Sequence, residues 1–382
     1  MTGTSPTQPP YRLRVTDGSQ LGPIRVAQWA TGAIGRTLLR GVLDAPDLEL
    51  VALKVYGDRK AGRDAGDIAR RAPAGVVATT ELGDVIAADP DVVLHAPRLQ
   101  LPYEQHDEDI CTLLSAGINV ISTAGQHYPA AHGDDRLAMF ADACRAGGAS
   151  LFGTGISPGV VGERIVSALL GLSMEVDRIS IEEVLDTSAV PDPDFVFTVM
   201  AMGSDPDAID LAAGGHAELY GMLYAETIRF MADTMGVTVE RIEPDHRVVA
   251  ATRDLDVPAG RILAGTVAAT EWRWHAIVEG RRFLTLGICW TMDPDLPDYR
   301  GRDHWTVHVD GKPEMTLSLN LVEPADPTSR TTAGQFATAA PALRAIPLVV
   351  DAAPGVITPS VFAPFLAPDA NIHPSDIALE HS

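Results

Sequence analysis

The stretch Ile24-Arg25-Val26-Ala27-Gln28-Trp29-Ala30-Thr31-Gly32-Ala33-Ile34-Gly35 decides the fold. An apolar run meets a Gly-containing turn, and a helix-compatible segment follows without a gap. This is the layout of a dinucleotide-binding βα turn. Gly32 has no Cβ, so backbone there can approach a pyrophosphate closely. Gly35 lets the new helix pack against the strand. The free N–H groups of the helix's first turn then point at the phosphates. Ala30 stands where the first glycine of such a turn usually is, so the pattern reads Ala-x-Gly-x-x-Gly. The expected cofactor loop is therefore Ala30, Thr31, Gly32, Ala33, Ile34 and Gly35.

Outward from this turn, strand and helix signals alternate. Expected strands are Ile24–Trp29, Leu48–Val55, Val76–Thr79, Val92–His95, Asn119–Ser122 and Ser150–Phe152. Expected helices are Ile34–Leu43, Asp84–Ala88, Asp107–Ala116 and Asp134–Ala146. The pattern predicts an α/β fold: an N-terminal Rossmann-type doubly wound parallel sheet over residues 23–160. Ligands of such sheets bind at the carboxyl ends of the strands. His95, Ala96 and Pro97, with Thr123 and Ala124, are expected beside the nicotinamide half of a dinucleotide.

Near Gly155–Gly162 the character changes. A helix over Gly162–Leu172 leads into an alternating strand, Arg178–Asp186. Further strands are expected at Val237–Ile242, Val248–Thr252, Val267–Val278, Arg282–Met292, Trp305–Val309 and Glu314–Leu321, with a helix at Glu218–Met235. Asp310-Gly311 and Glu279-Gly280 read as hairpin turns. Residues 161–332 thus form a second, α+β domain on a mostly antiparallel sheet. Ala333–Val350 is helical again, broken or kinked by Pro341 and Pro347. With the tail to residue 382 it is expected to pack back on the first domain. Residues 1–22 are polar, rich in Pro, Gly, Ser and Thr, and read as a disordered tail without the apolar centre of a signal peptide.

The chain has 382 residues, 46% of them hydrophobic, and a net charge of −22 from 29 basic and 51 acidic residues. That acidity disfavours nucleic acid and anionic membranes as partners. No apolar run is read as a membrane span. Cys111, Cys144 and Cys289 show no zinc spacing, so no metal is expected and their expected role is packing. A cytoplasmic protein is the expectation.

Several motifs resemble one family. They are Val26-Ala27-Gln28-Trp29-Ala30-Thr31-Gly32-Ala33-Ile34-Gly35-Arg36, Lys60-Ala61-Gly62-Arg63-Asp64-Ala65-Gly66, Gly117-Ile118-Asn119-Val120-Ile121-Ser122-Thr123 and Gly153-Thr154-Gly155-Ile156-Ser157-Pro158-Gly159. Ala345-Ile346-Pro347 and Ala353-Pro354-Gly355 follow near the end. The likeness, over about residues 24 to 358, is to dihydrodipicolinate reductase-like proteins, 2,4-diaminopentanoate dehydrogenase and the native amine dehydrogenases. True dihydrodipicolinate reductases carry a His-His pair followed by a Lys in the substrate domain. This chain has no His-His pair, which argues against that reaction.

The cofactor question turns on Tyr56-Gly57-Asp58-Arg59-Lys60, after the second strand. An acid there suits the ribose of NAD, and cations suit the phosphate of NADP. Asp58 argues for NAD, Arg59 and Lys60 for NADP. The resemblance implies relaxed use of both, and the two cations tip the reading toward NADP. Gly155, Ile156, Ser157 and Pro158 either shape the floor of a substrate pocket or serve as an interdomain hinge.

The run Tyr103-Glu104-Gln105-His106-Asp107-Glu108-Asp109 opens a helix, where Asp107, Glu108 and Asp109 are expected to cap and complement the dipole. By resemblance this region supplies a glutamate that handles ammonia and the iminium. Glu104, in the loop, is the candidate and Glu108 the second choice. Arg98 either holds a substrate carboxylate or pairs with these acids. Trp272 and Trp274 should share one strand face, with Glu271, Arg273 and His275 on the other. His275 reads as a satisfied surface histidine or a proton donor. Tyr220 and Tyr224, four apart on a helix, pack or line a pocket.

The resemblance implies an NAD(P)-dependent amine dehydrogenase acting on a small-molecule amine or carbonyl substrate with ammonia, as a homodimer. The alternatives are a carbonyl or alcohol oxidoreductase and a non-catalytic NAD(P)-binding regulator.

Overall fold

The structure, a computed structural model, describes residues 22–297, 299, 304–326, 329–361 and 363–368. The segment expected to be a disordered tail, apart from Gly22, and the stretch after residue 368 lie outside the described residues. The chain divides into two compact units. One runs to Val160 and resumes over Glu323–Thr358; the other comprises Val161–Val322 and the residues from Pro359.

The first unit alternates strictly. Its elements are β1 (Ile24–Trp29), α1 (Ala33–Asp44), β2 (Leu48–Lys54), α2 (Ala65–Ala69), β3 (Ala78–Thr79), α3 (Leu82–Ala87), β4 (Val92–His95), α4 (Asp107–Ser115), β5 (Asn119–Ser122), α5 (Asp134–Gly147) and β6 (Ser150–Gly153). The strands pair in parallel in the order β6-β5-β4-β1-β2-β3. The order reverses beside β1, as a doubly wound sheet requires. Strands covered on both faces must be apolar on both faces. Accordingly Val26, Leu53 and Leu94 enter one core with Leu38 and Leu39 of α1. Trp29, Val93 and Val120 enter the other with Ile110, Leu113 and Phe140.

The second unit begins with a π-helical turn, Val161–Val166, and α6 (Ser167–Leu170). It continues with β7 (Glu175–Asp186), α7 (Gly215–Met235), β8 (Arg241–Pro244), β9 (Arg247–Ala250), β10 (Leu255–Val257), β11 (Gly260–Ile262), β12 (Val267–Val278), β13 (Arg281–Thr291), β14 (Trp305–Lys312) and β15 (Met315–Leu319). The large sheet runs β15-β14-β7-β13-β12-β8, with β9 also on β12. Among the described residues only β7 and β13 pair in parallel there. Alternation places Trp272 and Trp274 together against α7, where they meet Tyr220 and Tyr224. In the first unit, α8 (Ala333–Val350) packs on α1, and β16 (Gly355–Val356) pairs with β6. A reciprocal capping box between Thr332 and Gln335 starts α8.

Several expectations need correction, and two short features were not anticipated. Asp310-Gly311 is not a turn but the bulged end of β14 against β7. A Cβ on Gly311 would lie 2.0 Å from the Glu175 carbonyl oxygen, so this glycine marks a close backbone approach. The stretch 237–240 is irregular, and the strand expected at Val237–Ile242 starts only at Arg241. Helix α2 and the β10–β11 hairpin are too short to leave a periodic signal. Helix α8 runs unbroken through Pro341 and Pro347, held by burial of Ala339, Ala342, Leu343 and Ile346. It also meets the length and hydropathy of a membrane span, 18 residues at mean hydropathy 1.2, although 44% of it is buried in the fold.

The β12–β13 turn is as expected. Glu279 (φ 50°) and Gly280 (φ 69°) both take left-handed backbone. That conformation costs a glutamate and suits Asn-Gly. Glu279 is exposed, and its 3.7 Å pair with Arg281 contributes little. Glu279→Asn is therefore expected to stabilise the protein by roughly 0.5–1 kcal/mol, seen as a raised denaturant midpoint at unchanged m.

Candidate active site

The site is built on the carboxyl edge of the parallel sheet. Ala30 there has φ 73°, the left-handed backbone for which glycine is the usual residue, so this turn carries strain that a glycine would not. Gly35 is required by contact: a Cβ would fall 2.3 Å from the Ala30 carbonyl oxygen. Helix α1 starts at Gly32 without a capping side chain and without an acid in its first turn. Its first N–H groups and the positive end of its dipole are thus left for an external anion. The fit to a dinucleotide pyrophosphate is direct.

Lys60 closes this turn from the side. Its Nζ donates to the Thr31 carbonyl oxygen (2.9 Å) and hydroxyl (2.8 Å). Burial, then Arg36, Arg59 and Arg63, hold its ammonium below the ordinary lysine range. Four cations therefore crowd the end of β2, where Asp58 and Arg59 are exposed. Sequence reasoning missed Arg36 and Arg63. Arg36 was legible, because it lies one residue past the second glycine and helical turning carries it toward the β2 loop.

The strand ends form a row in register: Lys54, Trp29, His95, Ser122 and Gly153. The whole of His95 is buried, side chain and backbone alike, so it does not reach the crevice surface. Its Nδ1 lies 2.9 Å from the Ser122 hydroxyl, which donates to Gln126 Oε1 (2.9 Å). Nδ1 is then the protonated nitrogen. Nε2 is buried with no partner among the described residues. Burial, reinforced by His106 and Lys54, holds this imidazole well below the ordinary histidine pKa. Lys54 itself is buried, with Nζ 4.3 Å from the Trp29 ring centre and 4.8 Å from that of Tyr56. The Tyr56 hydroxyl accepts from Trp29 Nε1 at 2.8 Å. This cluster has no local sequence signal, since only the register assembles it.

The loops above the row carry the other candidates. Ala96, Pro97, Ala124 and Gly155 are buried, while Thr123, Ile156 and Ser157 are half-buried and Pro158 is buried. Arg98 and Glu104 are exposed on the β4–α4 loop, and Glu108 is exposed on α4. Tyr103, next to Glu104, packs on Gly125, next to Ala124: its hydroxyl would be 2.7 Å from a Cβ there. The β4–α4 and β5 loops are thereby joined, which brings the Glu104 segment over the strand ends.

Asp107 does not cap α4. It is buried and accepts from Arg136 of α5 at two oxygens, 2.8 and 2.9 Å. Gln126 Nε2 approaches the same carboxylate at 3.4 Å. The Asp107 amide donates to the Glu104 carbonyl at 2.9 Å, so this ion pair anchors the loop that carries Glu104. Burial raises the Asp107 pKa against the opposing pull of Arg136. Cys111 on α4 is likewise pushed up, to about 11, by burial, which fits packing rather than reactivity. In the second unit His275 is buried, not at the surface. It sits between the Thr285 hydroxyl (2.9 Å) and Asp245 (3.1 Å).

Together these features define a Rossmann-type dinucleotide-binding unit carried with a mixed-sheet unit. A family profile for the 2,4-diaminopentanoate dehydrogenase C-terminal domain matches residues 160–365. An amine dehydrogenase from Streptomyces virginiae is 30% identical over 346 residues, 87% of this chain and 94% of that one. A 2,4-diaminopentanoate dehydrogenase from Acetoanaerobium sticklandii is 24% identical over 243 residues, 63% of this chain and 65% of that one. Among solved structures, the amine dehydrogenase from Mycobacterium smegmatis shares the fold at a TM-score of 0.68 and 18% identity, covering 89% of this chain and 95% of that one. The chain belongs to the 2,4-diaminopentanoate dehydrogenase family and is an NAD(P)-dependent oxidoreductase.

Proposed function

We propose that the protein interconverts a small amine and its carbonyl compound, releasing or consuming ammonia, with NADP(H) preferred over NAD(H). The carrying observation is the uncapped N-terminus of α1 behind the Ala30–Gly35 turn, in a chain of this family. The turn and α1 hold the pyrophosphate. Arg36, Arg59 and Arg63, whose charges all act on Lys60, are the cations we assign to the adenosine end, and Lys60 keeps the turn closed. When bound, the nicotinamide supplies or takes the hydride.

The protein's own work is to handle charge and protons. Glu104 is the proposed catalytic group, with Glu108 as second choice. Its carboxylate takes a proton from ammonium, which leaves ammonia nucleophilic, and it pairs with the iminium as positive charge develops. Arg98 on the same loop is the group available to a substrate carboxylate. Thr123, Ala124 and the Gly155–Pro158 segment are small or compact residues that leave room for a flat ring and shape the floor. We assign homodimerisation to the second unit's sheet face that carries Arg178, Ser180, Glu182 and Arg273. That face is polar, and Glu182 and Arg273 come within 3.9 Å on it.

NADP+ reduction should be followed at 340 nm with a panel of primary amines and, separately, the matching alcohols. Turnover confined to amines supports this reading. Turnover confined to alcohols moves the protein to carbonyl chemistry, and tight cofactor binding without any turnover favours a regulator. Arg59→Glu is expected to lower kcat/KM for NADP+ by at least about tenfold relative to NAD+, because it removes one cation and adds a repelling carboxylate. Equal losses with both cofactors would refute the phosphate role of Arg59.

A further inference from the structure

The first unit holds a cavity of about 800 Å³ between the later turns of α1, the end of α2, the segment leading into α8 and the first twelve residues of α8. It is separate from the dinucleotide turn. Arg40 on its wall lies seven residues past the start of α1, about 10 Å along the helix axis. Phe336, Ala340 and Leu343 of α8 give it an apolar wall, and Phe336 is 48% exposed there despite its size.

The rim is positive in a chain whose net charge is −22. Five arginines line the cavity against two aspartates, Asp44 and Asp326. Asp44 is already committed to Arg71 by two hydrogen bonds of 2.8 Å. Arg40 is fixed in place, donating to the Ala69 carbonyl (2.9 Å) and the Thr331 hydroxyl (3.0 Å). Burial, then the neighbouring Arg71, Arg36 and Arg70, disfavours its charge. Arg70 and Arg344 are exposed and carry no side-chain hydrogen bond or ion pair among the described residues. Guanidinium groups gathered this way are stabilised by an anion, and a planar carboxylate or a phosphate matches their donors. The volume is that of a small-molecule site.

We propose that this cavity binds a small amphipathic anion, its apolar body against Phe336 and Leu343 and its carboxylate or phosphate head among Arg40, Arg70 and Arg344. Nothing in the proposal depends on the amine chemistry.

Calorimetric titration of the full chain with decanoate, decyl phosphate and decanol tests it. One or both anions should bind at least tenfold more tightly than decanol, and the better of the two identifies the head group. The double variant Arg70→Asn, Arg344→Glu should weaken that anion at least tenfold. Both positions are exposed, and Asn tolerates the left-handed backbone of residue 70 (φ 59°). Ala340→Phe, which fills the cavity, should weaken it as strongly. No binding by any probe, decanol as tight as the anions, or affinities unchanged in both variants would overturn the proposal. So would a change of oligomeric state in the double variant, which would make the groove a subunit contact.

Discussion

Glu104→Gln is expected to lower kcat for amine oxidation by about 10²–10⁴-fold, the range for a lost general acid–base group. Glutamine keeps the size and polarity of the side chain but can neither take a proton from ammonium nor balance an iminium. Cofactor affinity should stay within about twofold, because the Ala30–Gly35 turn and Lys60 are untouched. Glu108→Gln is the matched control: it is also exposed, four residues further on in the first turn of α4, and should leave kcat near the parent value. The reverse pattern would transfer the role to Glu108. If neither change affected amine turnover, the carboxylate account would fail even with the oxidoreductase class intact.

Arg136→Met should cost about 3–5 kcal/mol of stability, because it strands the Asp107 carboxylate in the core between α4 and α5. The pH dependence has a definite sign. Burial already raises the folded pKa of Asp107 above its unfolded value, and removal of Arg136 raises it further. A raised carboxyl favours folding in its protonated form, so its contribution is fully present below the unfolded pKa and lost as pH rises through the folded one. The gap between Arg136→Met and the parent should therefore be smaller near pH 5 than near pH 8 in denaturant titrations. Arg136→Met with Asp107→Leu should recover most of the loss, since no buried charge then remains. A pH-independent gap, or no recovery in the double variant, would contradict this role. The single variant should also lose activity out of proportion to stability, because Asp107 anchors the Glu104 loop.

What could be read from the sequence divides along local and non-local lines. The limits of β1 and of β4 were legible to the residue, because each is a short apolar run ended by a turn signal. Gly35 was legible because a βα turn dictates where its helix meets its strand. Asp310-Gly311 misled because the same dipeptide suits a hairpin turn and a bulge, and only the partner strand distinguishes them. Asp107 looked like a helix-terminal acid because its partner, Arg136, is 29 residues away. His95 was placed correctly at a strand end, but side-chain direction depends on strand parity against a sheet not yet built. The Lys54–Trp29–His95 row and the arginine-lined cavity are tertiary objects, with no periodicity to reveal them.

Reductive amination is tested most directly by NADPH oxidation with a panel of small aldehydes and ketones, each with and without ammonium. Oxidation should require ammonium and yield the amine, with nitrogen from ¹⁵N-ammonium in the product. Oxidation at the same rate without ammonium, yielding the alcohol, would contradict it.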